Sequence, residues 1–332
     1  MRRSGFVLSA IAGAAVCILP ARVRSQSGAA VQSLRVLLGN GAAQPIDAQS
    51  FMFNGRPYRG TFSMLGSGQV VSIVPLEEYL YSVVSKEMPR SWPRAALEAQ
   101  AILARTYVLQ RSNPNRDYDV VPSEADQVYG GIASETVQSV AAVTTTNDRV
   151  LRYSGDFAQV SYSSCCGGHT ENIADAWGGK GFPYLAGVRC PYCTDSPDYR
   201  WSRELALNAL SRAFAAEIDP LGAITSIEVA QSDGSGRART IGISGTNGSV
   251  RIPGNALRSR LGARVVRSLL IREISLSAPS AEQAGQTVVI EGSGLGHGVG
   301  LCQWGARGMG LQNRSAKDII GFYFPNTEIG NA

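Results

Sequence analysis

The sequence predicts an α+β fold in which a helical core packs with mixed or antiparallel sheets and carries a β-rich lobe. Apolar residues recur at helical spacing over residues 74–109. The stretches before that segment, and those over residues 224–291, instead alternate or cluster apolar residues between Gly, Asn and Pro, as short strands do. The 332 residues are 44% hydrophobic and 17% charged, which allows a sizeable core and excludes a disordered chain or a disulfide miniprotein.

The first 25 residues have the composition of an export signal. Arg2 and Arg3 precede an apolar run over residues 6–19, and small residues follow. This order predicts cleavage within residues 19–26 and a location in the periplasm or cell envelope. The alternative is an uncleaved N-terminal membrane anchor, although the run is shorter than the ~20 residues that a membrane span needs.

We expect residues 26–73 to form an N-terminal β-rich segment and residues 74–332 the main domain, with residues 203–290 as a β-rich lobe within it. No low-complexity linker marks a boundary. Before residue 75 the predicted strands are 34–38, 58–64 and 69–74, the last two forming a hairpin. Later we predict helices over 135–146, 204–216, 255–261 and 316–323, and strands over 150–153, 158–162, 224–230, 238–244, 249–252, 269–276, 287–291 and 325–329.

One carboxylate, Glu87, stands out at the end of a predicted helix over residues 75–88, which Pro89 terminates. Glu87 follows Val83 by four residues and Leu80 by seven, so it projects from the apolar stripe of the helix. Desolvation and the negative end of the helix dipole would both raise its pKa toward the value that a general acid needs. The alternative is a surface Glu at a fraying helix end.

The next predicted helix, over residues 95–109, is rich in Ala and Leu on nearly every face, which indicates burial in the centre of the domain. Ser91 is expected to cap its N-terminus, with Pro93 in the first turn. Arg105 on this helix needs a partner, so it forms a structural ion pair or lines a site. In either role we expect it to orient Glu87.

Two cysteine-containing motifs have the spacing of a metal site. Cys166-x-x-His169 and Cys190-x-x-Cys193 are separated by twenty residues, as paired metal-ligand knuckles are. Three thiolates and one imidazole predict a tetrahedral zinc that is structural, because no ligand position stays open. Disulfides are the alternative in an oxidising compartment, but a disulfide has no use for His169.

The composition and motifs do not support nucleic acid or nucleotide as a partner. The net charge of +5 arises from 31 basic and 26 acidic residues without long basic runs. The glycine-rich run over residues 294–306 lacks the Lys-Ser/Thr of a phosphate-binding loop and the βαβ context of a dinucleotide fold. We therefore expect neither nucleic acid nor nucleotide.

Several motifs resemble the SpoIID/LytB family, which includes stage II sporulation protein D and amidase-enhancer proteins of the bacterial envelope. The central resemblance lies in V-P-L-E-E-Y-L, K-E-M-P-R-S-W-P and A-L-E-A-Q-A-I-L-A-R-T-Y. It recurs in the same order over residues 126–130, 163–170, 183–185 and 294–306. The similarity thus extends over about residues 70–329.

This resemblance implies a lytic transglycosylase that acts on peptidoglycan glycan strands, with Glu87 of the E-M-P motif as the catalytic acid. One carboxylate suffices for that chemistry, since the 6-hydroxyl of the muramic sugar attacks its own anomeric carbon and leaves a 1,6-anhydro end. Glu124 or Asp126 remains a candidate for a second catalytic carboxylate. The alternative function is a non-catalytic peptidoglycan-binding module or an enhancer of a cell-wall amidase, which would then be a partner.

The resemblance also implies residues that line the cleft. His297 and Gln303 of the G-H-G-V-G-x-x-Q motif are expected to offer hydrogen bonds near Glu87, although His297 could be a core residue. The full predicted substrate-binding set is Arg105, Gln127, Tyr129, Ser163, Thr170, His297 and Gln303. Ser163 and Thr170 could instead belong to a tight turn that supports the metal loop. Trp177 and Trp201 could stack on sugars but are more typical of a core.

Zinc has been found in some members of this family, which supports the metal prediction without assigning its ligands. Cys302 occupies a position where the family commonly has Ser or Thr. We predict it to be buried and unpaired.

Overall fold

The computed structural model describes residues 33–277 and 285–332. The predicted export signal lies outside these residues. The predicted α+β class is confirmed, because helices and several small sheets alternate along the described chain. None of the helices within these ranges has the length and apolar character that crossing a bilayer requires.

The helices are α1 (Leu76–Glu87), α2 (Arg94–Arg111), α3 (Val137–Thr145), α4 (Ile173–Trp177), α5 (Leu207–Ala213), α6 (Ala215–Ile218), α7 (Gly254–Leu261), α8 (Gln303–Leu311) and α9 (Ala316–Tyr323). The strands are β1 (Ser33–Asn40), β2 (Ala43–Asp47), β3 (Ser50–Phe53), β4 (Arg56–Arg59), β5 (Thr61–Met64), β6 (Gln69–Pro75), β7 (Arg149–Tyr153), β8 (Asp156–Phe157), β9 (Tyr162–Ser163), β10 (Trp201–Ala206), β11 (Ile224–Ser232), β12 (Ala238–Gly245), β13 (Gly248–Pro253), β14 (Ile271–Ser277), β15 (Thr287–Gly292), β16 (Leu301–Cys302) and β17 (Glu328–Asn331). Short 3-10 turns cover Ile132–Ser134, Pro183–Leu185 and Asp219–Leu221.

Two antiparallel sheets, β1-β6-β5 and β2-β3-β4, form the N-terminal part of the described chain. The predicted hairpin is present as β5 and β6, but the predicted strand over residues 58–64 is divided at Gly60. Gly60 has a φ of +80°, and a Cβ there would clash with the backbone of Ile73. The chain turns at this glycine and passes from one sheet to the other.

Helix α2 is the centre of the main hydrophobic core, and α1, α3, α8 and α9 pack around it. Its burial along most of its length agrees with the predicted all-round apolar character. The predicted cap at Ser91 is wrong. Helix α2 begins at Arg94, and Pro93, whose ψ of 137° is extended, occupies the N-cap without a side-chain hydrogen bond.

A second core, separate from the first, lies within residues 201–290 and belongs to a β-rich lobe. The sheets β10-β15-β14 and β11-β12-β13 contact each other through β11 and β14, and α5 and α7 pack against them. The predicted helix over residues 204–216 is wrong at its start. Residues 201–206 pair antiparallel with β15, so the helix begins only at Leu207.

A short parallel pair, β9 with β16, joins distant parts of the chain. Leu301 lies beside Tyr162, and Cys302 beside Ser163. The predicted strand over residues 158–162 was placed too early, because the described strand is limited to Tyr162–Ser163. This pairing places the motif at 163–170 next to the glycine-rich motif at 294–306.

Candidate active site

Glu87 is the last residue of α1, and its carboxylate is partly buried. Val83 and Leu80, one and two turns earlier, are fully buried, as the apolar-stripe prediction requires. Gln303 donates a hydrogen bond from Nε2 to Glu87 Oε2 at 2.9 Å, across 216 residues of sequence. The N-terminus of α8 thus contacts the C-terminus of α1.

Burial raises the pKa of Glu87 above its ordinary value. This effect outweighs two hydrogen bonds that lower the pKa, one from the Gln303 side chain and one from the Val128 backbone N–H. The negative charge of Glu124 raises it slightly further. The carboxyl group therefore keeps its proton to a higher pH than an exposed Glu does, as a general acid must.

A buried network of phenols lies close enough to Glu87 to interact with its charge. Gln127, fully buried, accepts from Tyr79 Oη at 3.1 Å and donates to Tyr162 Oη at 2.8 Å. Burial raises the pKa of Tyr79 and of Tyr162 well above the usual value, and the charge of Glu87 adds to both shifts. These phenols are thus neutral donors and acceptors, and Gln127 supports the site from within the core.

Tyr129, also predicted to bind substrate, packs between the rings of Tyr58 and Tyr79. Its ring centroid lies 4.8 Å from that of Tyr79, and only 4% of the residue is exposed. Its place in the structure is that of a core aromatic next to the network.

The expectation that Arg105 orients Glu87 is wrong. Arg105 is completely buried and forms a two-point ion pair with Glu77, with Nε–Oε1 and NH2–Oε2 distances of 2.7 and 2.6 Å. Its third nitrogen donates to the Arg149 carbonyl at 2.9 Å. Glu77 and Glu87 lie ten residues apart on α1, or about 15 Å at 1.5 Å per residue. Arg105 therefore anchors the opposite end of the helix.

Replacing Arg105 with Met is expected to lower the free energy of unfolding by about 3 kcal/mol, because it leaves Glu77 and a buried carbonyl without their partner. Urea unfolding measures the loss. Arg94→Met on the same helix is the matched control, since the Arg94 side chain is 68% exposed and its ion pair with Glu98 should contribute less than about 1 kcal/mol. Similar small losses in both variants would contradict the assignment.

Backbone hydrogen bonds join the motif at 163–170 to the glycine-rich motif. Cys165 and Leu295 exchange N–H···O bonds of 3.1 and 2.8 Å, and Ser163 Oγ accepts from the Gly298 N–H at 3.2 Å. Gly296 has a φ of +104°, and a Cβ there would lie 2.8 Å from the Ser163 Cβ. The glycines thus permit two backbones to approach closely.

Thr170 and Ser163 are both buried, and their hydroxyl groups form hydrogen bonds with the backbone of neighbouring loops. Thr170 Oγ1 accepts from the Val188 N–H at 2.7 Å. These contacts agree better with the alternative that Ser163 and Thr170 support a tight turn than with hydroxyl groups that are free to bind a sugar.

His297 lies beside Trp177 and makes no hydrogen bond to Glu87 within the described residues. Its Nδ1 accepts from the Val299 N–H at 3.0 Å, and its ring centroid is 5.0 Å from that of Trp177. Burial lowers the pKa of His297 to about 4, so the ring is neutral at pH 7. Trp177 is 55% exposed, whereas Trp201 is buried and donates to the Gly294 carbonyl. Of the two, Trp177 is the one with a surface available to a sugar.

Four cysteine sulfurs gather where three segments meet: Cys166 after β9, Cys190 and Cys193 before β10, and Cys302 at the end of β16. All four Sγ atoms lie within 4.8 Å of one another, with 3.6 Å between those of Cys166 and Cys193. A tetrahedral zinc with Zn–S bonds of about 2.3 Å places its sulfurs roughly 3.8 Å apart, whereas a disulfide bond is about 2.05 Å long. The donor set and spacing fit a zinc ion.

The four clustered cysteines differ in one member from the predicted ligand set. His169 lies outside the sulfur cluster, where its Nδ1 donates to the Thr170 carbonyl at 2.7 Å. Cys302, predicted to be unpaired, takes the fourth position because the β9–β16 pairing carries it to Cys166. Its sulfur also accepts backbone N–H groups of Cys166 and Gly305, at 3.2 and 3.3 Å. One feature of the sequence pointed to this fourth cysteine: Cys302 stands where the family commonly has Ser or Thr.

Comparisons with known proteins agree with the motifs. A family described as "Stage II sporulation protein" (SpoIID) matches residues 65–153, and a domain of unknown function, DUF8618, matches residues 192–300. The chain is 32% identical over 285 residues to an uncharacterised protein of Brachyspira hyodysenteriae, covering 84% of this chain and 74% of that protein. It is 27% identical to the stage II sporulation protein D of Bacillus subtilis, over 80% of this chain and 77% of the relative. Its identity to the amidase enhancer of Bacillus subtilis is 26%, over 75% of this chain and 40% of the relative.

Proposed function

The chain belongs to the SpoIID/LytB family, and we propose that it is a lytic transglycosylase that cleaves the MurNAc–GlcNAc bond of peptidoglycan strands. Family membership supports a cell-wall-related role. The finer assignment rests on one observation: Glu87, with a pKa raised by burial, is held at a helix end by the amide of Gln303.

In the proposed reaction, the protonated Glu87 donates to the glycosidic oxygen as the bond to the muramic C1 breaks. The resulting carboxylate then accepts the proton of the muramic 6-hydroxyl while that oxygen bonds to C1. The acid is regenerated, no water is consumed, and the product carries a 1,6-anhydro ring. Between the two proton transfers, the N–H groups of Gln303 and Val128 stabilise the carboxylate.

The surrounding carboxylates are consistent with one catalytic acid. Asp126 is occupied by other groups, accepting from Tyr107 Oη at 3.1 Å and from the Val121 N–H at 2.9 Å, with Arg111 at 3.2 Å. Glu124 is exposed and lies near enough to Glu87 to raise its pKa. Glu124 is therefore the remaining candidate for a second carboxylate.

The direct test is to incubate the protein with purified glycan strands, with and without stem peptides, and to analyse the products by mass spectrometry. We expect 1,6-anhydro-muramic ends. Hydrolytic reducing ends would contradict the one-acid mechanism, and intact strands would contradict the activity.

The amidase enhancer among the relatives favours a second candidate, stimulation of a cell-wall amidase without cleavage of the glycan. This function predicts that the protein raises the rate of stem-peptide release by an added amidase. If Glu87→Gln stimulates the amidase as well as the wild type does, and neither yields anhydro ends, the enhancer function replaces the enzyme.

The rate of cleavage is expected to fall as pH rises through the raised pKa of Glu87, because only the protonated form can donate. Gln303→Met removes a hydrogen bond that favours the carboxylate, so it should move the alkaline limb of the kcat/KM profile to higher pH. Gln312→Met, at the exposed C-terminal end of α8, is the control and should leave that limb in place. An unchanged limb in Gln303→Met would show that Glu87 does not set the profile.

We also propose that Cys166, Cys190, Cys193 and Cys302 hold one structural zinc ion. Four thiolates leave no open position, so the ion would join segments instead of activating water. Cys302 directly precedes Gln303, and the site would therefore also fix the start of α8 against Glu87.

Export is a further part of the proposal, because the substrate lies outside the cytoplasm. It rests on the charged and apolar pattern of residues 2–19, which lie outside the described residues. Sequencing the N-terminus of the mature protein tests it: an N-terminus within residues 19–26 is expected, and an intact one would indicate an uncleaved anchor.

A further inference from the structure

A cavity of about 120 Å³ lies between the glycine-rich motif and the β-rich lobe. Trp177 and His297 line it from one side, and charged side chains, among them Glu171, Asp233, Arg239 and Arg258, complete the lining. The volume has room for several water molecules or for a small charged side group. Neither Glu87 nor Gln303 lines it.

Two of the three arginines in this cavity, Arg239 and Arg258, have no carboxylate partner within the described residues. Arg237 is 3% exposed and is already paired: its Nε lies 3.6 Å from Glu171 Oε2, and it donates to the carbonyls of Cys166 and His169 at 3.0 and 3.1 Å. Arg258 donates from Nε to the Val266 carbonyl at 3.1 Å, whereas its NH1 has no hydrogen-bond partner within the described residues. Arg239 is exposed and likewise makes no side-chain hydrogen bond there. The free guanidinium donors favour an anion, above all a carboxylate.

The acidic groups of the cavity do not cancel this preference. Glu171 is already paired with Arg237, and it accepts from Asn172 N–H and Ser235 Oγ, each at 2.8 Å. Asp233 Oδ1 accepts from the backbone N–H of Arg237 at 3.0 Å, but its Oδ2 is buried and has no partner within the described residues. Such an atom needs a donor. The cavity therefore fits a unit that carries a carboxylate together with an N–H or hydroxyl group.

Two observations limit the distance between the cavity and Glu87. His297 and Gln303 lie six residues apart on the same motif, so at most about 21 Å of extended chain separates them. The charge of Glu124 raises the pKa of Glu87 and opposes the burial that lowers the pKa of Arg258, so Glu124 lies within electrostatic reach of both. One oligosaccharide can contact both places.

We propose that this cavity is a carboxylate subsite for the muramic unit of a glycan strand, with Arg239 and Arg258 binding the carboxylate, Asp233 accepting an N–H or hydroxyl, and Trp177 lying against the sugar. This proposal rests on the proposed function, and it gives a reason why the enzyme would cleave the MurNAc–GlcNAc bond and not the other glycosidic bond of the strand. Only every second sugar carries the lactyl group, so a carboxylate bound at a constant place would set the register that presents the MurNAc–GlcNAc bond to Glu87. The carboxylate can be that of the lactyl group on a denuded strand or that of an attached stem peptide.

Binding measured in the Glu87→Gln full-length chain tests the subsite independently of cleavage. Isothermal titration would compare denuded strands, peptide-bearing strands and an N-acetylglucosamine oligomer that has no carboxylate. Arg239→Ala with Arg258→Ala is expected to weaken binding of a carboxylate-bearing strand about tenfold and to leave the oligomer within twofold. Whichever strand, denuded or peptide-bearing, loses affinity in this variant carries the carboxylate that the subsite binds. Arg251→Ala, an exposed arginine on β13 of the same lobe, is the matched control and should change none of the three.

Arg239→Ala alone is a second variant that should fold normally, since Arg239 makes no side-chain hydrogen bond within the described residues. It should weaken binding of the same carboxylate-bearing strand, to a smaller extent, and leave the oligomer unchanged. Equal losses in all three arms, or none in any, would overturn the subsite. If the wild type forms no anhydro ends but the arginine-dependent selectivity is present, the proposed activity fails and the subsite stands.

Discussion

Glu87→Gln is expected to lower the rate of 1,6-anhydro product formation by about 10²- to 10⁴-fold, the range that a general acid contributes. The amide can keep the hydrogen bond from the Val128 N–H, but it has no proton to give to the leaving oxygen. Quantitative mass spectrometry of the products measures the effect. Wild-type activity in this variant would remove Glu87 from its assigned role.

Two controls separate chemistry from folding. Because burial raises the folded-state pKa of Glu87, its ionisation weakens the folded state as pH rises above the unfolded pKa. Glu87→Gln should therefore melt at an equal or higher temperature than wild type at pH 7, and the difference should vanish in acid. Glu124→Gln is the matched carboxylate control, and a loss as large as that of Glu87→Gln would point to a two-carboxylate mechanism.

Cys302→Ser is expected to lose the proposed zinc and to lower the free energy of unfolding by several kcal/mol, since structural zinc contributes folding free energy directly. His169→Ala should keep the metal, because His169 lies outside the sulfur cluster. Elemental analysis of the purified variants, together with thermal unfolding, distinguishes the two. Loss of zinc in His169→Ala and its retention in Cys302→Ser would restore the ligand set expected from the motifs.

The wild-type protein supplies the complementary measurement. We expect one zinc per chain. The four cluster thiols should titrate only after chelation and unfolding, and the buried Cys165 adds a fifth thiol on unfolding. No zinc and no free thiol among Cys166, Cys190, Cys193 and Cys302 would mean that the cluster is oxidised to disulfides.

The local parts of the fold were predictable because they depend on neighbours within a few residues. The 3.6-residue apolar period and Pro89 placed α1 and its end correctly, and the strands β11, β12 and β13 follow their alternating pattern. The failures arose where pairing overrides local pattern. Residues 201–206 join a sheet through β15 although the sequence continues as an amphipathic helix.

The sequence predicted the acidic residue of the candidate site, Glu87, better than it predicted which residues surround it. Glu87 and Gln303 came from the motifs, and the structure places them 2.9 Å apart. Arg105 was associated with the wrong carboxylate, since a helix pattern shows that a buried Arg needs a partner but not which end of α1 supplies it. The spacing of Cys and His residues likewise could not reveal that Cys302, 136 residues along the chain from Cys166, joins the cluster.

The sequence by itself determined the α+β class, the helix pair and the position of Glu87 on an apolar stripe at a helix end, because periodicity and proline act locally. Only the tertiary structure decided the partner of each buried polar group. It brought Cys302 to the other cysteines and Arg105 to Glu77, and it placed the arginines of the β-rich lobe and Trp177 around one cavity. These contacts depend on strand register and on the meeting of distant segments, and a single sequence carries no local signal for either.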